Sequence, residues 1–488
     1  MDERAIARSA LAARDAGRPE EGLRLLEPAL AAQPGSALLL QVAGLLHRAT
    51  GNSEAARHAL ARAAALAPAD ARIAHALARV TLEAGLPAVA LFDRAHALAP
   101  RDGDILIGRS AAQLAEGRGK EAEADLARLV AASPGWLEGQ GALADLRWFL
   151  GDHEDFHRGY EEALARDGSD RRLHMALLER LVRANRFDKA AAALARARQL
   201  LASDQALLAF EAVVADETGD HARAGLLFEQ LAAVPDLALA ARHMRHHLRT
   251  GQPELAARRG EPWLSDPRAN EIWPYMEIAW RLLEDPRHAW LVDQPGLVAV
   301  HDAGLSPAEL HALGQLLRRL HALSGEPAGQ SVRSGTQTDG PLLARSDPEI
   351  RQLRSCLEAA IGRHVAALPA DPTHPVLRHR PDTIRFAGSW SVRLAGAGHH
   401  SVHIHPQGWL SSAFYVCVPG TGEAGPPPSG WLALGAPPPE LGLNLPPLHK
   451  VEPVAGQLVL FPSIFWHGTM PFAGGERMTV AFDVAPPR

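Results

Sequence analysis

The residues best suited to chemistry are three histidines in the C-terminal half of the chain. His403 and His405 stand two positions apart in HIHPQGWLSSAFYV, and His467 follows the apolar segment LVLFPSIFW. Residues two apart on a β-strand project from the same face, so His403 and His405 can reach one metal ion together. Imidazole nitrogens are common ligands of divalent transition metals. The three histidines are therefore candidate metal ligands.

Arg477 and Thr479 follow His467 in the segment RMTVAFDV and again share one face of a predicted strand. No aspartate or glutamate stands next to the histidine pair. Asp483 has the same strand parity as Arg477, which leaves open that it faces the same interior.

These residues lie in a region of short β-type runs that begins after Pro372. The runs are TIRFAGSWSVRL, SVHIH, SSAFYVCV, GWLAL, GQLVLFP and RMTVAFDV, and clusters of Gly and Pro separate them. Several short strands with such turn signals predict an antiparallel sandwich or barrel. Two amphipathic helices precede them, at Leu305 to Leu323 with Ser306 as N-cap, and at Asp347 to Leu368.

The N-terminal half carries two series with a period close to 34 residues. A Gly or Asn recurs at positions 17, 51, 85, 117, 151, 185, 219 and 251, and a second series, mostly Pro, follows each by about 17 residues. Gly and Asn tolerate the left-handed conformation that ends a first helix, and Pro ends the second. The pattern resembles tetratricopeptide repeats, with seven units and a partial eighth. Such solenoids have a concave surface, which makes a peptide or protein the expected partner.

Composition narrows the functional classes. The 488 residues carry a net charge of −6 without a basic run, which argues against a nucleic-acid partner. The two cysteines exclude a disulfide framework and favour a reducing cytoplasm. The charged N-terminus and the lack of a long apolar stretch predict no leader and no membrane association.

The β half resembles the bacterial Fe(II)/2-oxoglutarate oxygenases of the double-stranded β-helix fold, through GSWSVRL, HIHPQGWLSSAFYV, the segment with His467 and Arg477, and QSVRSGTQTDGPLL. Members of that group often carry tetratricopeptide repeats in front. The resemblance implies an α+β multidomain chain, with an all-α tetratricopeptide solenoid at 1–267, a helical junction at 268–304, and a double-stranded β-helix (jelly-roll) oxygenase domain with framing helices at 305–488.

The resemblance also implies roles for individual residues. His403, His405 and His467 would hold Fe(II), and Arg477 with Thr479 would hold the far carboxylate of the cosubstrate 2-oxoglutarate. A guanidinium fork suits that task because it binds a carboxylate through two parallel hydrogen bonds. Tyr415 and Arg393 are further candidates for cosubstrate binding, and no side chain is expected to act as a general base. His405 stands where the family has a carboxylate, which leaves zinc or copper open as the metal.

The implied function is an Fe(II)/2-oxoglutarate-dependent dioxygenase that uses O2 to hydroxylate a peptide or protein held by the solenoid. One alternative is a small-molecule oxygenase whose solenoid serves docking or dimerisation. Another is a non-catalytic repeat scaffold with a relict metal-binding barrel. A fragment starting near residue 270 is expected to keep the metal site, unless aromatic residues of the junction IWPYMEIAWRLL pack against both halves.

Overall fold

The structure is a computed structural model that describes residues 2–202, 204–322, 325, 329–379, 383–420 and 422–486. Its N-terminal part consists of paired antiparallel helices. They are α1 (Glu3–Asp15), α2 (Pro19–Ala32), α3 (Ala37–Ala49), α4 (Ser53–Leu66), α5 (Ala71–Glu83), α6 (Val89–Leu98), α7 (Gly103–Ala115), α8 (Gly119–Ala132), α9 (Leu137–Phe149), α10 (Arg158–Arg166), α11 (Arg171–Arg183), α12 (Phe187–Leu200), α13 (Gln205–Glu217), α14 (His221–Gln230), α15 (Leu237–Arg249) and α16 (Pro253–Gly260).

The repeat positions read from the sequence fall at the turns inside these pairs. Each of the eight turn residues has a positive φ, including Asn185 at 55°. Small residues are fully buried between the two helices of a pair, as at Ala56, Ala122 and Ala190. The predicted tetratricopeptide solenoid is therefore confirmed, with the short α16 closing the eighth pair.

Helices α17 (Trp273–Leu282) and α18 (Arg287–Val292) form the junction, and α19 (Pro307–His321) and α20 (Pro348–Ala367) frame the β domain. A capping box at Ser306 and Glu309 starts α19, as its sequence predicts. The predicted end of this helix at Leu323 lies outside the described residues.

The C-terminal domain contains two antiparallel sheets. Its strands are β1 (Ala299–Asp302), β2 (Val332–Gln337), β3 (Phe386–His400), β4 (Leu410–Cys417), β5 (Leu432–Leu434), β6 (His449–Val451), β7 (Gln457–Pro462), β8 (His467–Thr469) and β9 (Glu476–Val484). The larger sheet has the order β1-β7-β4-β9-β3-β2, and the smaller has the order β6-β5-β8. The α+β architecture of a helical solenoid followed by an antiparallel sheet domain is confirmed.

Three details differ from the sequence-based expectation. The polar residues of SGTQTDG predict a loop, but its first four residues belong to β2, an edge strand that pairs with β3. Edge strands are often polar, which conceals them in a sequence. The preceding AGAG predicts that His399 and His400 lie in a loop, but both belong to β3. The segment SVHIH makes only an isolated bridge, between His403 and His467, instead of a regular strand.

One hydrophobic core joins the end of the solenoid, the junction and the barrel. It includes Met244 of α15, Trp280 of α17 and Trp466 before β8. The Trp466 indole donates to Pro274 O at 3.1 Å, and the Tyr275 ring lies 5.4 Å from that of Trp466. The aromatic junction thus packs against both halves.

The solenoid also contacts the barrel domain near its other end. The turns of the second and third repeats meet α20 and the segment between β2 and α20. Ser53 Oγ donates to Ala344 O at 2.6 Å, Ser346 N donates to Ala84 O at 3.0 Å, and Arg354 donates to the carbonyls of Thr50 and Gly51. Among the described residues, no helix is long and apolar enough to cross a membrane.

Candidate metal centre

The three histidines meet in a cavity enclosed by both sheets. His467 begins β8 of the smaller sheet, while His403 and His405 lie between β3 and β4. Backbone hydrogen bonds fix this approach, because His403 and His467 exchange N–H···O bonds of 3.0 Å and His405 N donates to Ser463 O at 3.1 Å. His403 and His405 therefore converge as predicted, although they do not lie on a regular strand. Both form backbone hydrogen bonds to the segment 463–467.

The imidazoles are close enough to share one ion. One ring nitrogen from each lies within 4.8 Å of those of the other two. The ring centroids are 4.1 Å apart for His403 and His467, and 4.9 Å apart for each of the other two pairs.

The hydrogen bonds of the three rings direct equivalent nitrogens toward each other. His403 Nδ1 lies 2.8 Å from Ser401 O, His467 Nδ1 lies 2.9 Å from Phe465 O, and His405 Nδ1 lies 2.6 Å from an Asp483 carboxylate oxygen. Each Nδ1–H can donate to its acceptor, which leaves the lone pair on Nε2. Ser331 Oγ, at 3.2 Å, is the partner of His403 Nε2. Metal-binding histidines typically have this second hydrogen bond to a carbonyl or carboxylate.

Asp483 brings a carboxylate to the histidines, although no acidic residue stands next to His403 and His405 in the sequence. Its side chain is buried and its Oδ1 also accepts from Ser411 Oγ at 2.6 Å. The carboxylate therefore lies behind His405, where it orients the ring, rather than within the cluster of nitrogens. Strand parity left open that Asp483 faces the interior. The register of β4 and β9, in which Ser411 pairs with Asp483, brings its carboxylate to His405.

Arg477 is a buried cation in the same cavity. It is 2% exposed, its Nε has no hydrogen-bond partner among the described residues, and no carboxylate there pairs with it. Burial lowers the pKa of Arg477 from its ordinary value. Thr479 lines the cavity beside it and pairs across the sheet with Tyr415.

Tyr415 is also placed for cosubstrate binding. The guanidinium carbon of Arg477 lies 5.1 Å from the centre of its ring. Its hydroxyl is buried, burial raises its pKa, and the neighbouring Arg477 guanidinium opposes that rise. Arg477 Nε lacks an acceptor among the described residues, which suggests a ligand that carries one.

The prediction for Arg393 is corrected by its position. On β3 it pairs with Met478, so it projects from the opposite face to Arg477, and its Nε bonds Glu476 Oε1 at 2.6 Å. Arg318 from α19 bonds the same carboxylate. Arg393 is therefore part of an ion-pair network between the sheet and a framing helix. Its alternation along the strand could have shown this, because Val392 and Leu394 are the apolar, inward positions.

The remaining walls of the cavity are aromatic, aliphatic and polar. Trp390, Phe461, Gln337 and His400 contribute to the lining. The sequence did not single out His400 as a cavity residue, although its ring stacks 6.0 Å from that of His403. Burial lowers the pKa of His403 to about 3 and that of His467 well below its ordinary range, so both rings are neutral, as metal ligands must be.

These residues fit Fe(II) and a dicarboxylate together. Three imidazoles form a suitable donor set for divalent iron, zinc or copper. Arg477 supplies the positive charge that a carboxylate needs in a buried place, and its Nε lacks an acceptor.

Comparison with known proteins agrees with this site. Residues 388–483, which include all three histidines and Arg477, match the family model described as "Putative 2OG-Fe(II) oxygenase". The chain thus combines a tetratricopeptide solenoid with a region that matches this oxygenase family model, as the sequence indicated. A search of curated proteins gave no match.

Several solved structures resemble parts of the chain. A tetratricopeptide repeat protein from Parabacteroides merdae is 14% identical, with a TM-score of 0.31, over 49% of this chain and 96% of that one. A Pseudomonas putida prolyl-4-hydroxylase is 20% identical, with a TM-score of 0.29, over 41% and 98%. Yeast Tom70 is 16% identical, with a TM-score of 0.37, over 56% and 60%.

Proposed function

We propose that the C-terminal domain is an Fe(II)/2-oxoglutarate-dependent oxygenase that hydroxylates a polypeptide. The observation that carries this proposal is the buried Arg477, which has no carboxylate partner among the described residues and shares one cavity with three converging imidazoles. When bound, iron and 2-oxoglutarate would supply the oxidising chemistry, with O2 converting the cosubstrate to succinate and CO2 and hydroxylating a C–H bond.

The protein residues would orient the reactants and exclude water. His403, His405 and His467 hold the metal through Nε2, and their Nδ1 hydrogen bonds keep the rings from turning. Arg477 binds the far carboxylate of the cosubstrate, with Thr479 beside it. No side chain is required to take a proton from the substrate.

The first test is succinate release by the purified full-length protein. We expect release to require both Fe(II) and 2-oxoglutarate, and to be lost in His467→Ala. As a matched control, His374→Ala removes a buried histidine that bonds Leu291 O outside the cavity, and it should keep activity if the protein remains folded. Release that persists in His467→Ala, or no metal-dependent release at all, would contradict the oxygenase proposal and favour a scaffold.

A groove between solenoid and barrel supports the choice of a polypeptide substrate. It has a volume of about 640 Å³ and lies between repeats three and four and the segment after β2. Its apolar walls include Leu82, Leu86 and Leu342. Thr338 lines this groove, while the preceding residue, Gln337, lines the metal cavity. An extended chain could therefore contact the repeats close to the catalytic cavity.

The substrate class can be tested with host-cell extracts divided by size. We expect the peptide fraction of a digested proteome to stimulate succinate release, and the small-metabolite fraction to have no effect. Ala115→Arg introduces a long charged side chain into the groove and should abolish the stimulation while basal release continues. Ala124→Arg, on the exposed face of α8, is the control. Stimulation by metabolites alone would favour the small-molecule alternative.

A further inference from the structure

A second cluster of potential metal ligands lies in the solenoid. His243 and His247 are four residues apart on α15, and Glu229 is on the adjacent α14. One ligand atom of each lies within 4.8 Å of those of the other two. We propose that these three side chains bind a structural divalent cation of the zinc class.

The geometry of the two imidazoles resembles that of the barrel cluster. Residues four apart on a helix project from the same side, and the His243 and His247 ring centroids are 4.3 Å apart. The corresponding distance between His403 and His467 is 4.1 Å. His243 Nε2 lies 3.5 Å from a Glu229 carboxylate oxygen.

Unsatisfied nitrogens provide a second, independent observation. His243 is 2% exposed and His247 is 6% exposed. Both ring nitrogens of His243, and Nδ1 of His247, lack a hydrogen-bond partner in the described part of the chain. Buried polar groups normally have partners, so three such nitrogens in one place suggest a missing ligand.

The surrounding groups both favour and oppose a cation. Phe228 stacks on His243 and makes that side of the site apolar. Arg259 of α16 faces both imidazoles and opposes positive charge; its Nη1 donates to Ala232 O, while its Nε and Nη2 are buried without a hydrogen-bond partner among the described residues. Glu229 supplies the negative charge and is exposed enough to adjust its side chain. Two imidazoles, one carboxylate and a water would complete the tetrahedral set that zinc prefers.

A bound ion would link the last two repeats. Repeats of a solenoid contact only their neighbours, so a link between α14 and α15 acts where the chain enters the junction. Arg249, at the end of α15, donates to Glu440 O of the barrel domain. The ion would thereby stabilise the repeat on which the oxygenase domain rests.

Metal stoichiometry of the full-length protein tests this inference separately from the barrel site. Zn²⁺ bound after equilibrium dialysis should amount to two ions in the wild type and one in His403→Ala/His467→Ala. His243→Asn/His247→Asn should also bind one, and Glu229→Gln, whose side chain is exposed, should weaken the second ion by about tenfold or more. His174→Asn, which removes a buried histidine bonded to Gly168 O, is the control and should bind two.

Two outcomes would overturn the solenoid site. The first is wild-type protein that binds one ion, which disappears in the barrel double variant and persists in His243→Asn/His247→Asn. The second is a second ion that is fully retained both in Glu229→Gln and in His243→Asn/His247→Asn. Failure of the barrel site alone would leave one ion in the wild type that depends on His243 and His247. Co²⁺ substitution gives a further readout, because its visible absorption distinguishes tetrahedral from octahedral coordination.

Discussion

At the residue scale, the proposed site replaces the single carboxylate of the usual triad of two histidines and one acid with a histidine, His405, and a carboxylate behind it, Asp483. In the proposed site the third ligand position holds the His405 imidazole, and the carboxylate of Asp483 lies behind it. Such a carboxylate fixes the tautomer of the ring and raises its basicity as a ligand. The charge of the site is thus partly recovered without a direct carboxylate ligand.

Replacing this carboxylate should weaken the metal without removing it. We expect Asp483→Asn to lower the affinity for Fe(II) by about tenfold or more, because the neutral amide holds the His405 tautomer less firmly. Competition with a coloured chelator under anaerobic conditions measures the change. Asp302→Asn, at the end of β1 and outside the cavity lining, is the control. Equal affinities for the two variants would show that Asp483 has no orienting role.

Strand parity indicated that His403 and His405 share a face and that Arg477 and Thr479 do too, and the family resemblance implied that these residues meet His467 at one site. The structure brings His403, His405, His467, Arg477 and Thr479 together in one cavity. It could not reveal that Asp483 contacts His405, since 78 residues separate them and the contact depends on strand register. The assignment of Arg393 failed for a related reason, because its opposite charge, Glu476, comes from another strand.

At the scale of elements, two of the turns inside the repeats also contact the barrel domain. Gly51 and Gly85 each have a positive φ, and a Cβ at either would meet a guanidinium group of the barrel domain. Arg354 donates to the carbonyl of Gly51 at 2.5 Å. Periodicity predicted these glycines from the helical turns, but it gave no indication of the arginines that require the space.

The cost of backbone strain and the cost of displacing an arginine can be measured separately with a matched pair of glycines. Gly51 has φ of 72° and Gly251 has φ of 73°, but a Cβ would lie 2.4 Å from Arg354 Nη1 in the first case and in open space in the second. Gly251→Ala should cost about 1–2 kcal/mol from backbone strain alone. Gly51→Ala should cost more, because the Arg354 contact is also displaced. Thermal unfolding of the variants measures the difference, and equal shifts would show that the contact contributes nothing.

The position of a strand in the sheet explains whether its sequence pattern predicted it. The strands β1 and β2 both lie at edges of the larger sheet, where β1 pairs with β7 and β2 with β3. The strands β4, β7 and β9 are interior and apolar, and their patterns were recognised. An edge strand has less apolar surface to bury, so its pattern is weaker.

At the scale of the whole molecule, the solenoid and the barrel are joined at two places. The continuous core includes Leu248, Trp280 and Trp409, and the second and third repeats contact the segment before α20. The expectation that a fragment starting near residue 270 keeps the metal site depended on junction aromatics that do not pack against both halves, but Tyr275 and Trp280 belong to or pack on this shared core. The two contacts position the groove of the repeats beside the barrel.

Truncation should expose this shared core. A fragment starting at residue 270 loses α15 and α16, which pack on α17 at Met276. We expect it to aggregate because large exposed apolar patches associate in water. Size-exclusion chromatography of the fragment against the full chain is the measurement. A monodisperse fragment that binds Fe(II) as tightly as the full chain would show that the junction does not depend on the solenoid.

The most direct test of the central claim is an anaerobic titration of the Fe(II)-loaded, full-length protein with 2-oxoglutarate, followed through the visible metal-to-ligand charge-transfer band. We predict saturable binding in the wild type, and affinity at least about tenfold weaker in Arg477→Ala, since loss of a charge-assisted hydrogen bond costs about 1.5–3 kcal/mol. Arg393→Ala, on the opposite face of the neighbouring strand, should titrate like the wild type. An unchanged curve for Arg477→Ala, or no band in iron-loaded wild-type protein, would contradict the proposed site.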